Sequence, residues 1–257
     1  MAAPSSNIEA MPVVRDLKDF DLKSGNRLER LIFNNRVPVM LVCLVVTVVL
    51  GFMASRVSLN ASYEKMLPTA HPYIQNYLAN KGQLRGLGNT LRVVVETTQG
   101  DIFDAAYLET LSKVNDELFL TPGVDRAWVK SIWMPVVRYT EVTEEGFAGG
   151  PVMPDTYDGS KKSLEQLRQN ITKAGLVGSL VANDYKSAMI VVPLLDVDPA
   201  TGNPIDYWAL SHAIEKNVRD KFETADGKYK VRVIGFAKIV GSLLDGILQV
   251  MIYFVAA

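Results

Sequence analysis

The sequence predicts an α+β membrane protein in which a folded domain lies between two apolar helices. Three observations support this fold class. The residues from Val37 to Ser55 form an uncharged apolar run, and those from Gly246 to Ala257 form another. Between the two runs, β-branched segments alternate with apolar residues at helical spacing, which is typical of strands and amphipathic helices in one domain.

Composition excludes several classes of protein. The chain has 257 residues, and 27 basic residues against 28 acidic ones give a net charge of −1, so no bulk positive field favours nucleic acid. Cys43 is the only cysteine in the sequence and has no partner for an internal disulfide. His71 and His212 have no partner at metal-ligand spacing, so we expect surface or helix-capping roles for both. No cofactor or metal site is predicted.

The first apolar run is predicted to be transmembrane helix 1, over residues 37–56. Arg36 and Arg56 bracket a stretch of about 20 residues, which at about 1.5 Å per residue crosses a hydrocarbon core of about 30 Å. The alternatives are a buried core helix and a cleaved signal peptide. The length of the run disfavours the first, and the long polar leader before it disfavours the second.

Positive charge is more frequent before this span than after it. Arg27, Arg30 and Arg36 precede the span closely, whereas only Arg56 follows it closely. Loops rich in Lys and Arg stay in the cytoplasm, so residues 1–36 are predicted to be a cytoplasmic segment. Residues 1–26 are expected to be a flexible or surface-lying leader, and residues 57–238 are expected to be exported.

A second membrane segment is predicted to start near Lys238. Residues 239–257 contain one charge, Asp245, and we expect them to be the start of an incomplete second transmembrane helix in a longer membrane protein. An amphipathic C-terminal helix is the alternative. Asp245 lies about two turns into the segment, where a hydrated helix end is a better expectation than a proton relay.

The exported region is predicted to begin with an extended exit from the membrane and a short helix. Pro68 and Pro72 restrict helix initiation to the stretch after His71. An apolar stripe then follows in that helix, formed by Ile74, Tyr77 and Leu78.

Two strand–helix–strand units are predicted beyond this helix. The first has a strand at Leu91–Thr97 and a second strand around Val124–Val137; the second unit has strands at Ser187–Asp196 and Tyr229–Gly235, with a turn at Asn183–Asp184 before it. The helical stripe of the first unit is Phe103, Tyr107, Leu111, Val114 and Leu118, and that of the second is Tyr207, Leu210, Ile214, Val218 and Phe222. Side by side, the units predict a four-stranded ferredoxin-like (βαβ-βαβ) domain with both helices on one face.

The connection between the units is predicted to contain a loop and an extra helix. Residues 144–159 are rich in glycine and proline, and together with Glu141 they include an acidic cluster that a solvated surface explains. Residues 161–175 have one apolar face, which predicts a helix; its members are Leu164, Leu167, Ile171 and Ala174.

No catalytic motif is present, so an enzyme is not predicted. The glycines of Gly86–Leu87–Gly88 precede a strand, opposite to a dinucleotide site, and are expected to form a turn. Trp128, Trp133 and Met134 lie along the predicted second strand. They are candidates for lining a hydrophobic substrate path, and core packing is the alternative.

Four stretches in this order and spacing make the chain resemble the RND transporter superfamily, specifically its MMPL-like branch of bacterial lipid and hydrophobe exporters. The stretches are YEKMLPTAHP (Tyr63–Pro72), LRVVVET with the later PGVDRAWVKSIW, LVGSLVANDYKSAMIVVPL (Leu176–Leu194), and VRVIGFAKIVGSLLDGI. Together they extend over roughly residues 30–257. The resemblance implies an N-terminal fragment: first span, first periplasmic porter domain and the start of the second span.

The resemblance also implies a location, partners and a mechanism. The location is the bacterial inner membrane, with a cytoplasmic N-terminus and a periplasmic domain at 57–238. The implied partners are membrane lipids, the later spans and second porter domain, and a second copy or a periplasmic accessory protein. Members use the proton motive force through acids in later spans, so this fragment has no proton relay and is not expected to transport alone. The alternative function is an extracytoplasmic ligand-binding sensor domain of a membrane receptor.

Overall fold

A computed structural model describes residues 26–54, 56, 68–80, 83, 89–144, 146–199 and 201–256. The chain forms two compact units, residues 1–58 and 59–257. In the first unit, helix α1 (Arg27–Asn34) precedes helix α2 (Arg36–Ala54). None of the α2 side chains is buried, and apolar residues occupy every side of the helix.

The second unit is a mixed α/β domain followed by a long apolar helix. Its elements in chain order are α3 (Pro72–Asn80), β1 (Thr90–Thr97), α4 (Ala105–Leu120), β2 (Arg138–Thr143), β3 (Gly146–Pro151), α5 (Lys161–Lys173), β4 (Ser187–Pro193), α6 (Tyr207–Ile214), α7 (Asp220–Phe222), β5 (Tyr229–Ile234) and α8 (Phe236–Ala256). A π-helical segment, Glu215–Arg219, joins α6 to α7. The α+β class with apolar helices at both ends is therefore confirmed.

The main sheet has three antiparallel strands in the order β4–β1–β5. In the central strand β1, the side chains of Leu91, Val93 and Val95 are fully buried on one face, while Arg92 is exposed on the other. This alternation is what a sheet with one covered face requires. The core lies between that face and the helices, and it includes the predicted stripe residues Tyr107, Leu111, Val114 and Leu118 of α4.

A buried tyrosine fixes α4 to the sheet. The Tyr107 hydroxyl donates a hydrogen bond to the Val95 carbonyl (2.7 Å) and accepts one from the Ala188 N–H (2.9 Å), so one side chain of α4 holds β1 and β4 together. Burial raises the pKa of Tyr107 well above its usual range, so the phenol keeps its proton. The helix is thereby fixed in register with both strands.

The predicted strand at Val124–Val137 is wrong. Only isolated bridges form there, Val124 with Leu194 and Lys130 with Val191, at the outer edge of β4. A 3₁₀ turn at Arg126–Trp128 separates the two bridges. Beyond Lys130, the Ser131 hydroxyl donates to the Asn115 side chain of α4 (2.6 Å), which draws the chain away from the sheet edge. The sheet thus has three strands where four were expected.

The predicted loop at 144–159 is also partly wrong, because β3 lies within it and pairs with the preceding strand β2 in a separate two-stranded hairpin. The strand predicted at Ser187–Asp196 is present but ends at Pro193, and the helical stretch predicted from Tyr207 to Phe222 is divided into α6, the π-helical segment and α7. The extra helix is α5, with Leu167 and Ile171 fully buried, and the Asn183–Asp184 turn is present. Helix α3 begins at Pro72, directly after His71.

Two helices of the described chain, Arg36–Ala54 and Phe236–Phe254, are long and apolar enough to cross a membrane. The second begins at Phe236, slightly earlier than predicted, and its first turns pack on the domain through Ala237, Val240 and Leu244. The predicted leader at 1–25, the extended exit at 57–67 and the turn at Gly86–Gly88 lie outside the described residues.

Candidate functional site

Helix α6 contacts α8 with one face and borders a surface groove with another. Asp206 caps the helix, since its Oδ1 accepts hydrogen bonds from the backbone N–H groups of Trp208 (2.9 Å) and Ala209 (3.1 Å). Because residues three and four apart share a helix face, Trp208, Ser211 and His212 lie on the α8 side. Ala209 and Ala213 line the groove.

One of the two charged residues of the apolar helix α8, Asp245, binds α6. One oxygen, Oδ1 of Asp245, accepts a hydrogen bond from Nε1 of Trp208 (2.7 Å) and lies 2.9 Å from Nε2 of His212. The Trp208 and His212 rings meet edge to face, with centroids 4.6 Å apart. Both donors come from the domain, so the carboxylate is held by α6 rather than by other groups of its own helix.

The backbones of α6 and α8 approach closely one turn before Asp245. A Cβ atom at Gly241 would lie 2.3 Å from the Ser211 Cβ, closer than any pair of carbon atoms can pack without bonding. Nearer the start of α8, Nζ of Lys238 lies 2.8 Å from Oε1 of Glu215, and Glu215 also pairs with Arg219 at 2.8 Å. We name this set of contacts, from Lys238 to Asp245, the α6–α8 junction.

On its other face, α6 borders a groove made of two adjoining clefts of about 400 and 410 Å³. Both clefts reach the turn Thr121–Gly123 and the loop at Asp198. The first is lined mainly by apolar side chains, among them Pro204, Ile205 and Leu210. The second extends to Ala127, beside the turn that holds Trp128.

The two acidic groups of the first cleft are already hydrogen-bonded within the protein, whereas the second cleft is also lined by Asp125 and Arg126. Oδ1 of Asp206 caps α6, and Oδ2 of Asp198 accepts a hydrogen bond from the Thr201 hydroxyl (3.1 Å). The carboxylates therefore shape the loop and the helix start, while apolar walls face the open space. Such a groove suits an aliphatic or aromatic portion of a ligand.

The structure separates the three predicted substrate-path residues. Trp133 and Met134 pack against the core: the Trp133 ring meets Tyr157 edge to face at 5.5 Å, and its Nε1 donates to the Leu108 carbonyl (3.2 Å). Trp128 is 45% exposed on its turn. Core packing thus describes Trp133 and Met134, and Trp128 is the candidate that remains at the surface, on the turn whose Ala127 lines the second cleft.

Sequence reasoning missed the α6–α8 junction. His212 is exposed at the surface, as expected, and the structure also gives it a partner in α8 that was not expected. The signal was available: Trp208 and His212 are four residues apart on one helix face, and Asp245 interrupts an apolar helix and needs donors. The other histidine fits its expected role, since Nδ1 of His71 accepts from the Tyr73 N–H (3.2 Å) at the start of α3.

Within the described residues, no three side chains of His, Cys, Asp or Glu are grouped so that they could hold a metal ion. Comparison of the chain with models of known protein families and with curated proteins finds no match.

Proposed function

We propose that the domain is the first porter domain of a proton-driven exporter of the RND superfamily, MMPL-like branch, which moves hydrophobic or lipid-like molecules. The observation on which this depends most is the order of the strands. From one edge of the sheet to the other, the order is β5, β1, β4 and then the bridged residues Val124 and Lys130. This is the spatial order of a ferredoxin-like sheet whose second strand has been reduced to two bridges.

The groove supports the hydrophobic substrate. The apolar walls of the first cleft lie against α6, and its two carboxylates, Asp198 and Asp206, are engaged in loop and capping contacts, so this cleft offers contact area without demanding a charged ligand. Trp128 is exposed on the turn whose Ala127 lines the second cleft. Among the three predicted substrate-path residues, Trp128 is proposed to contact the substrate. Trp133 and Met134 are proposed to support the wall of the groove from the core.

The α6–α8 junction supports coupling between this groove and the membrane. Helix α6 lines the groove with Ala209 and Ala213 and holds α8 through Trp208 and His212. A ligand that displaces α6 must therefore also displace α8. An exporter needs such a connection between a substrate path outside the bilayer and helices that move within it.

The test uses a variant that fills the groove. Ala213→Trp places a large side chain in the groove, and Lys162→Trp adds the same side chain at an exposed position on α5 that does not line the groove. We expect Ala213→Trp to weaken binding of a fluorescent fatty-acid analogue to the detergent-solubilised chain by about tenfold or more, and Lys162→Trp to leave it unchanged. Equal binding by both variants would remove the groove from the proposal.

A substrate transport assay distinguishes the proposed transporter from the alternative ligand-binding sensor. In the complete transporter that this proposal implies, Ala213→Trp should reduce uncoupler-sensitive flux of the same analogue, whereas the chain alone should show none above empty liposomes. Ligand binding without flux from the complete protein would instead favour the ligand-binding sensor, for which the α6–α8 junction would transmit the signal.

We also propose that the N-terminus is cytoplasmic and the domain periplasmic. The arginines before α2 support this orientation. In a Cys43→Ala background, Lys162→Cys on the exposed start of α5 should react with an impermeant maleimide in intact spheroplasts, and a cysteine at residue 5 should react only after lysis. Labelling at residue 5 but not at Lys162→Cys in intact spheroplasts would contradict this topology.

A further inference from the structure

The outward face of α8 is apolar along the whole helix, including the turns that pack on the domain. Ile239 and Leu243 are 65% and 60% exposed, although they precede Asp245. They continue at helical spacing into the exposed residues Ile247, Val250 and Phe254. The apolar stripe therefore starts about two turns before the uncharged part of the helix.

Both charged residues of α8 are turned away from this stripe. Lys238 pairs with Glu215, and Asp245 is held by Trp208 and His212, so each charge is bound on the α6 side. A helix that met water on its outer face would have no need to direct its only two charges inward. The arrangement fits a helix whose outer face meets lipid from Ile239 onward.

We infer that the α6–α8 junction lies in the headgroup layer of the bilayer, with Ile239 and Leu243 in contact with lipid and the Trp208 indole at the membrane–water boundary. From Ile239 to Asp245 the helix rises about 9 Å. The headgroup layer on each side of a bilayer is roughly 5–8 Å thick. The junction therefore crosses that layer, and the uncharged part of α8 begins where the hydrocarbon begins.

Trp208 has the chemistry for this position. An indole has an apolar body and one N–H donor, and tryptophan is enriched at membrane interfaces for that reason. Here the N–H is satisfied by Asp245, and 38% of the residue remains exposed for lipid. The inference requires α8 to be a membrane helix and does not require transport, so it holds equally for an exporter and for a sensor.

A tryptophan at Phe147 is the control, since Phe147 is 85% exposed on β3 and is not among the residues that line the groove. Two single-tryptophan chains are made in a Trp128→Phe, Trp133→Phe background, one retaining Trp208 and one carrying Trp208→Phe and Phe147→Trp. Each is reconstituted in phosphatidylcholine–phosphatidylglycerol vesicles containing a lipid with a nitroxide at carbon 5 of the acyl chain. We expect the nitroxide to quench Trp208 at least threefold more than the tryptophan of the Phe147→Trp chain, and aqueous iodide to show the reverse preference. Equal quenching of the two tryptophans by each agent would overturn the inference.

Cysteine variants provide an independent measurement that leaves the tryptophans intact. In a Cys43→Ala background, Ile239→Cys is compared with Val136→Cys, another exposed aliphatic position. In vesicles opened by freeze–thaw, a water-soluble maleimide should label Val136→Cys at least tenfold faster, and the two rates should converge in detergent-free urea. Comparable rates in vesicles, or disulfide-linked dimers through Ile239→Cys, would overturn the inference, because the face would then meet water or a second copy.

Discussion

The two long apolar helices differ in what surrounds them. Helix α2 has apolar side chains on every side and none of them is buried, whereas α8 buries Ala237, Val240 and Leu244 against the domain and leaves the opposite face open. Both have the length and hydropathy of a span. Helix α2 therefore has the pattern of an anchor, and α8 has that of a helix shared between a membrane and a folded domain.

The comparison shows that length and hydropathy do not distinguish these two roles. The distinguishing features are the positions of small and charged residues. In α2, Thr47 satisfies its hydroxyl within the helix by donating to the Cys43 carbonyl (2.8 Å). In α8, Gly241 and Asp245 are both used by α6. Substitutions at these positions should thus separate the helices experimentally.

The largest effect is expected at Gly241. Gly241→Ala would place a Cβ atom 2.3 Å from the Ser211 Cβ, so α8 must move away from α6. We expect the free energy of unfolding of the domain to fall by about 1–3 kcal/mol, as for overpacked cores. Urea unfolding in detergent, followed by tryptophan fluorescence, measures it.

Gly51→Ala in α2 and Gly246→Ala later in α8 are the controls, since nothing lies within 4 Å of a Cβ atom at either position. Both should be neutral or stabilising by up to about 1 kcal/mol, because alanine favours a helix over glycine. A similar loss at all three glycines would show that α8 is no more dependent on its neighbours than α2.

The next effect is expected at Asp245. Asp245→Leu makes α8 more apolar yet removes the acceptor of Trp208 and His212, and we expect a loss of about 1–2 kcal/mol of domain stability. Asp245→Asn keeps an acceptor oxygen and should lose less. Thr47→Val in α2 should change stability by less than about 0.5 kcal/mol. Amide hydrogen exchange in α6 locates the loss, and unchanged exchange in Asp245→Leu would refute the role of the carboxylate.

A smaller effect is expected from the ion pair of Lys238 with Glu215. A double-mutant cycle with Lys238→Gln and Glu215→Gln should give a coupling of about 0.5–1 kcal/mol that decreases as salt is added. Arg219 remains paired with Glu215 at 2.8 Å in the Lys238 variant, which limits the loss. A coupling unaffected by salt would indicate that the contact is steric rather than ionic.

The smallest effect is expected at Asp158, which lies before α5 and far in sequence from both long helices. Hydrogen bonds from the Ser160 hydroxyl, the Ser160 N–H and the Ser163 hydroxyl lower the pKa of Asp158 to about 2. A lowered folded-state pKa stabilises the fold above the ordinary carboxyl pKa, and that contribution is lost as pH falls through about 2. Asp158→Asn should remove this pH dependence, whereas Asp155→Asn should leave it. Carboxyl NMR titration measures it.

The sequence was sufficient to predict the helices whose apolar residues recur at regular helical spacing. The stripes of α4, α5 and α6 predicted buried faces that the structure confirms, because these helices are stabilised by one continuous apolar face. The hairpin was missed because the glycines of β3 have low strand propensity and its side chains show no buried alternation.

The remaining differences depend on contacts that are distant in sequence. The stretch after Val124 has the β-branched and aromatic residues of a strand, but the bonds of Ser131 to Asn115 and of Trp133 to Leu108 compete with sheet pairing. The α6–α8 junction joins Trp208 to Asp245, 37 residues apart. A local period cannot indicate which donor an isolated acid will meet.

A single residue, Gly235, connects strand β5 to helix α8. Its φ is +147°, a conformation that favours glycine, and a Cβ atom there would lie 2.8 Å from the Thr90 carbonyl oxygen, so no bulkier residue fits this joint. Helix α8 is thus attached to the domain at two points, at the sheet through Gly235 and at the α6–α8 junction. Because of the second attachment, α8 cannot rotate freely about Gly235. A tilt of α8 must therefore rotate the domain by a comparable angle, and a rotation of the domain must tilt α8.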